Sequence, residues 1–219
     1  MPIGYFAALR LLHRTFAGYP LRARMHILGR FLTCPFLRTL DVIPPGSRVL
    51  DIGAGHGTYA RLLVEDGTRE VIAVEPDVRK CVLAYRHPAV RFVAGFDSCI
   101  RGTFDVVVLY DVIYRIPLSE RDELFQSIFD RVRPGGLFVF KDLDPENRPK
   151  MLWNRLQEKI SDTFFHLTLG RGFHYETRRE FEARIRRAGF ESISAREIDR
   201  GYPHAHIIYT ASRPVGEGG

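Results

Sequence analysis

The chain has 219 residues, 45% of them hydrophobic and 26% charged, with a net charge of +6. That length suits one domain with additions and buries a sizeable core without staples, and the composition excludes a disordered, collagen-like or coiled-coil chain. No charge-free apolar run reaches about 18 residues, so no membrane-spanning helix is expected, and Arg10 and Arg14 interrupt the apolar N-terminus where a signal peptide would be continuous. In chain order, residues 5–40 read as two short helices broken at Gly18-Tyr19-Pro20. In the second, Leu21, Met25, Leu28 and Leu32 form one apolar stripe, and Arg22, His26 and Arg30 recur on another face. Cys34-Pro35 interrupts, Phe36 to Val42 makes a further helical turn, and Pro44-Pro45-Gly46 punctuates the chain. Residues 1–40 hold six arginines and no lysine, aspartate or glutamate, while the other 179 residues carry 26 basic and 26 acidic side chains. The whole excess charge therefore sits in the first fifth, a block suited to an anionic surface, substrate or partner.

From residue 48 short apolar runs alternate with amphipathic helices. The runs are Arg48–Ile52, Val71–Glu75, Val90–Ala94, Val106–Tyr110 and Leu137–Lys141, and the helices are expected near 57–66, 77–86 and 119–132. Continuous apolar strands between helices indicate an α/β fold with a parallel sheet covered on both faces. Residues 142–176 leave this rhythm, with a helix near 149–164 and a glycine loop at 169–172. Thr177-Arg-Arg-Glu180 is a capping box opening a helix that ends at Gly189. Two strands near 191–198 and 205–212, joined through Gly201-Tyr202-Pro203, should pair antiparallel. The chain thus divides into a basic helical cap over 1–43, a main domain over 44–213 with an insertion at 143–176, and a flexible tail over 214–219. Cys34, Cys81 and Cys99 lie far apart with no CxxC, which favours a reducing, cytoplasmic setting over disulfides or structural zinc.

The most informative stretch is Val49-Leu50-Asp51-Ile52-Gly53-Ala54-Gly55-His56-Gly57, a buried strand entering a glycine turn before a helix. The glycines permit the tight turn and close approach of a ligand to the backbone. Dinucleotide and phosphate sites use such turns too, but Asp51 at the strand end would repel a pyrophosphate docked on the helix N-terminus. It suits a ligand with a positive amino group and a sulfonium. Glu75, 24 residues on, ends the next strand and can accept hydrogen bonds from two ribose hydroxyls.

With these residues the sequence resembles the Rossmann-like (class I) S-adenosylmethionine-dependent methyltransferases. Asp51-x-Gly53-x-Gly55-x-Gly57 matches the family's first motif and Glu75 its ribose-binding acid. Arg91-Phe-Val-Ala-Gly95-Phe-Asp97 is similar to the adenine-binding turn, although Phe96 intervenes where the acid usually follows the glycine. Phe104-Asp105-Val-Val-Val-Leu-Tyr110-Asp111 looks like the fourth strand and its loop, and Arg133-Pro-Gly-Gly136 matches the turn into strand five. The resemblance implies a three-layer fold, its seven-stranded, mostly parallel sheet ending in an antiparallel strand, with S-adenosyl-L-methionine as cofactor. It implies cofactor contacts from Asp51, Gly53, Ala54, Gly55, Gly57, Glu75, Pro76, Asp97, Tyr110 and Asp111. Asp105 reads as a structural residue at its strand's start.

An oxygen or acidic-carbon acceptor needs a proton removed, and in this fold ligands lie beyond the carboxyl ends of the strands. Asp142, after strand five, His204, entering the last strand, and His174, in the insertion, are the candidate bases. Tyr114, Trp153 and Tyr175 are candidate substrate contacts. His204 and His206 lack a third ligand, so no metal is expected. Aromatics and arginines fill both 1–43 and 143–176, which in such enzymes build a roof over the substrate. An apolar or aromatic acceptor fits, lipid-like or carrier-bound, with an acyl carrier protein or an anionic membrane surface as partner and a weaker resemblance to bacterial lipid and aryl-polyene pathway methyltransferases. The adenine-amino motif with paired prolines is absent after strand four, no cysteine is placed to attack a pyrimidine, and nucleic acid is not the expected partner. The alternatives are an RNA or protein methyltransferase recruited through the basic arm, and a non-catalytic protein that binds S-adenosylmethionine.

Overall fold

The computed structural model describes residues 3–145 and 175–216. Its strands are β1 Arg48–Ile52, β2 Glu70–Glu75, β3 Val90–Ala94, β4 Phe104–Tyr110, β5 Val132–Leu143, β6 Glu191–Glu197 and β7 His206–Ser212. They form one seven-stranded sheet in the order β3-β2-β1-β4-β5-β7-β6. The first five run parallel, and β7 lies antiparallel between β5 and β6. The helices are α1 Tyr5–Thr15, α2 Leu21–Thr33, α3 Thr58–Leu63, α4 Val78–Val82, α5 Arg121–Arg131 and α6 Arg178–Arg187.

The Val- and Leu-rich strands alternate their side chains between two cores. Val49, Val71, Val106 and Val108 pack with α1, α2 and α3 on one face. Leu50, Val107, Leu109, Phe138 and Phe140 pack on the other with Phe125 of α5 and Phe181 of α6. The sandwich is therefore three layers deep, and the first helices form part of one layer. Phe16 and Phe31 are each 1% exposed, a burial worth about 2 kcal/mol apiece. Buried Arg69 fastens this layer to the sheet by donating to the carbonyls of Leu40, Ile43 and Leu63.

The apolar stripe read on α2 does not face the core. Leu21, Met25 and Leu32 are exposed, while Ile27 and Phe31, roughly a quarter turn away, are buried. Burial of Ile27 and Phe31 leaves His26 and Arg30 at the strand-end cleft. The helix expected over 77–86 stops at Val82, and beyond it Tyr85 turns back to donate to the Gly57 carbonyl at 3.0 Å. Strand β5 begins earlier than expected, taking in Pro134-Gly135-Gly136, with a register shift opposite Phe104 and Val106. Helix α6 opens with the expected capping box, Thr177 and Glu180 each satisfying the other's backbone. Among the described residues no helix is long and apolar enough to cross a membrane.

Candidate active site

The carboxyl ends of the parallel strands open onto a cleft of about 400 Å³. One half is built by the β1–α3 turn. Gly53, Gly55 and Gly57 all take left-handed φ, +73°, +60° and +78°. Space demands glycine as well: a Cβ on Gly53 would sit 2.4 Å from Val112 Cγ2, and one on Gly57 2.3 Å from Phe92 Cζ. The amides of Gly53 and Ala54 donate to the Val74 carbonyl at 2.8 and 3.0 Å, locking the turn to the end of β2. The Gly55 amide donates to Glu75 Oε2 at 2.8 Å, and the other Glu75 oxygen accepts from the Asp77 amide and Lys80 Nζ. These bonds fill Oε1 and leave Oε2 capacity for a further donor.

Asp51 is 2% exposed, and its Oδ2 has no hydrogen-bond partner. Burial, and secondarily Glu75, pushes its carboxyl up to about 7. A cationic ligand group would supply both the missing partner and the missing counter-charge. S-adenosylmethionine fits this half: Asp51, with its orphaned oxygen, would hold the amino group, and Glu75 would hold the ribose. The left-handed glycines bring no side chains of their own into the turn, where Ala54 and His56 line the cleft.

The other half centres on Asp111, the first residue beyond β4, held at φ +54°. Its amide donates to the Lys141 carbonyl at 3.0 Å. Lys141 Nζ donates to Oδ1, and Arg30 of α2 donates to Oδ2 at 2.5 Å, with Cys34 Sγ 3.6 Å from the same oxygen. Burial alone would raise the Asp111 carboxyl, but Lys141 and Arg30 hold it well below the usual carboxylate range. Next to this cluster, His206 Nε2 lies 2.9 Å from the Thr33 carbonyl. Burial, then Lys141, pushes His206 down to about 2, so it is neutral. Phe36, Tyr59 and Tyr110 stack alongside, the two tyrosine rings 4.2 Å apart. Tyr110 donates to Tyr59 Oη, and Tyr59 to the Thr39 carbonyl. That satisfies the hydroxyls within the protein, so Phe36 and Tyr110 line the cleft chiefly as apolar surface.

The expected cofactor residues Asp51, Gly53, Ala54, Gly55, Glu75, Pro76, Tyr110 and Asp111 come together along this cleft. Gly57 stands behind it as the N-cap of α3. Gly95 and Phe96 line it, and Asp97 opens the short turn that follows. Tyr114 is buried and stacks on Tyr175 at 6.2 Å between centroids. Asp142 is 2% exposed and accepts the Leu143 amide on Oδ1; burial, then Asp111, raises its carboxyl to about 7. Neither Asp142 nor His204 is among the described residues lining the cleft. Trp153 and His174 lie outside the described residues.

The cleft also contains His26, Arg30 and Arg115, which motif reasoning did not select. The available signal was the Arg22-His26-Arg30 face of α2, which reads equally well as a solvated helix face. Burial, followed by Arg30 and His56, lowers the His26 imidazole to about 4.

A cleft at the strand ends, with an acid below the glycine turn and a second acid ending β2, belongs to a Rossmann-like fold of the methyltransferase type. The chain belongs to the family described as "Methyltransferase domain", whose model matches residues 24–195. It is 26% identical over 174 residues to a phosphoethanolamine N-methyltransferase of Triticum aestivum, covering 75% of this chain and 32% of that one. It is also 26% identical over 184 residues to the malonyl-[acyl-carrier protein] O-methyltransferase of Methylococcus capsulatus, covering 79% and 63%. The chain spans only about a third of the wheat enzyme and under half of a Synechocystis 2-methyl-6-phytyl-1,4-hydroquinone methyltransferase. In fold it is similar to the Haemonchus contortus phosphoethanolamine N-methyltransferase 2 in complex with S-adenosyl-L-methionine. That likeness has a TM-score of 0.68 at 15% identity, covering 97% of this chain and 60% of that one. A Thermotoga maritima S-adenosylmethionine-dependent methyltransferase gives 0.64 at 16% identity, covering 94% and 99%.

Proposed function

We propose that the protein transfers a methyl group from S-adenosylmethionine to an oxygen or carbon of an apolar or aromatic small molecule, lipid-like or carrier-bound. The observation that carries this reading is the continuity of the cleft. It runs from Asp51 and Glu75 past Val112 to Ile27, Phe36 and Tyr110 without a wall between them. When bound, the cofactor supplies a methyl group already activated on a sulfonium. The protein then has to align the acceptor and exclude water. Asp51 holds the cofactor's amino group, Glu75 its ribose, and Val112, packed against Gly53, sets the depth of the cleft. Phe36, Tyr110 and Ile27 give the acceptor a dry wall, with Tyr114 and Tyr175 as a stacked pair nearby.

Relatives that methylate a phytyl hydroquinone and a carrier-bound malonyl group agree with such an acceptor. Recruitment of RNA or protein by the basic arm has less support, because two of its arginines are engaged inward, Arg30 on Asp111 and Arg38 on the Ile198 carbonyl. The test is calorimetric titration with S-adenosylhomocysteine, followed by transfer of labelled methyl from S-adenosylmethionine to a prenylated hydroquinone or a malonyl-carrier protein. Binding and label transfer to either acceptor support the reading. Failure of the wild-type chain to bind S-adenosylhomocysteine would overturn it.

A further inference from the structure

The aromatic rings of the acceptor half are held as one fixed group. Phe36 opens the short turn after α2, Tyr59 belongs to the first turn of α3, and Tyr110 ends β4. The planes of Phe36 and Tyr110 differ by 17°, with centroids 6.4 Å apart, and Tyr59 stacks on both, at 5.9 and 4.2 Å. Thr39 ties the group together: its Oγ1 donates to the Phe36 carbonyl at 2.7 Å and lies 3.2 Å from Tyr59 Oη. All three rings line the cleft. We propose that Phe36 and Tyr110 form a stacking platform for an aromatic ring of the acceptor. This inference rests on the methyltransferase reading and narrows its acceptor from any apolar molecule to one with a flat ring.

Strand order gives the platform to the acceptor and not to the cofactor's own base. Strands β2, β1 and β4 are neighbours, so their ends set Glu75, Asp51 and Tyr110 in that order across the cleft. A cofactor whose ribose is held by Glu75 and whose amino group is held by Asp51 would run along the first two. Its base, carried on the ribose, would then extend toward β3, away from Tyr110. Rigidity also favours a ring. Tyr110 donates to Tyr59 Oη and Tyr59 to the Thr39 carbonyl, so neither hydroxyl has to turn toward a ligand. Each of the three rings is at most 6% exposed, and neighbours on separate elements hold it in place. A preformed flat surface loses little freedom when a ring docks, and ring–ring contact adds to simple burial. A flexible aliphatic chain gains the burial alone and gives up its own rotations.

Naphthol, decahydronaphthol and decanol serve as probes, three alcohols of equal carbon count that are flat, puckered and flexible. Each is titrated into the full chain with and without S-adenosylhomocysteine. Calorimetry gives affinity, and upfield ring-current shifts of the probe's protons in NMR show contact with aromatic faces. Naphthol should bind about five- to tenfold tighter than either saturated alcohol, and S-adenosylhomocysteine should not displace it. Phe36→Leu keeps an apolar side chain and should shrink that preference to within about twofold. Tyr110→Phe keeps the ring and should preserve the preference. The wild-type comparison decides by itself should either variant fail to fold. Equal affinity for the three alcohols, tighter binding of decanol, a preference unchanged in Phe36→Leu, or displacement of naphthol by S-adenosylhomocysteine would overturn the platform. If S-adenosylhomocysteine fails to bind while naphthol keeps its preference, the methyltransferase reading falls and the platform stands.

Discussion

The two halves of the cleft are built on different principles. The cofactor half is local: Asp51, three left-handed glycines and Glu75 lie within 25 residues, and backbone amides hold nearly every part of it. The acceptor half joins Arg30, Cys34, Asp111, Lys141 and His206 from α2 to β7, and side-chain charge holds it together. In a site held by backbone hydrogen bonds, changing a ligand-facing carboxylate acts on binding more than on the fold. A site made of buried charge couples binding to the stability of the fold.

That contrast can be broken at its strongest point by Asp111→Asn. Removing the carboxylate leaves Lys141 buried without a counter-charge, and urea denaturation should show a loss of about 3 kcal/mol. Adding Lys141→Met to the same chain should recover much of it. A single variant as stable as the wild type would mean that the acceptor half is not held by charge.

Asp51→Asn should act on binding, with an opposite effect on stability. S-adenosylhomocysteine affinity should fall at least tenfold, about 1.4 kcal/mol or more. The Asp51 carboxyl is raised from its ordinary 3.8 to about 7, so its contribution to folding is full below about pH 4 and is lost as pH climbs through 7. The ligand's ammonium needs the ionised form, so wild-type affinity should rise with pH up to about 7 and then level off. The asparagine variant should lose that rise and melt no lower than wild type at pH 8. Asp142 titrates in the same window and keeps part of the pH dependence of stability in both proteins. The smallest effect belongs to the exposed stripe of α2, where Met25→Ser should change stability by less than about 0.5 kcal/mol.

The five parallel strands, the glycine turn and the acid ending β2 were all legible, because each is a short segment whose pattern is complete in sequence. Asp105 was legible too as a strand-start residue; it accepts from the Arg48 amide and Arg133 Nε at the far end of the sheet. The face of α2 was not. Its strongest periodicity, Leu21-Met25-Leu28-Leu32, points largely outward, while Ile27 and Phe31 face the core and His26 and Arg30 the cleft. Periodicity shows that a helix has faces, but it does not say which neighbour each one meets. Lys141 and Asp142 are adjacent in sequence and project to opposite sides of β5, so the same charged run contributes one residue to the Asp111 cluster and another outside the cleft lining.

Sequence alone determined the layered parallel sheet and the cofactor half, since alternating apolar runs and a turn that only glycine can take are properties of neighbouring residues. Only the tertiary structure decided the acceptor half. Arg30, Asp111 and Lys141 are 81 and 30 residues apart, and nothing in their local surroundings marks them as partners. Packing α2 over the ends of β4 and β5 brings them together where water is scarce, and there their charges must pair.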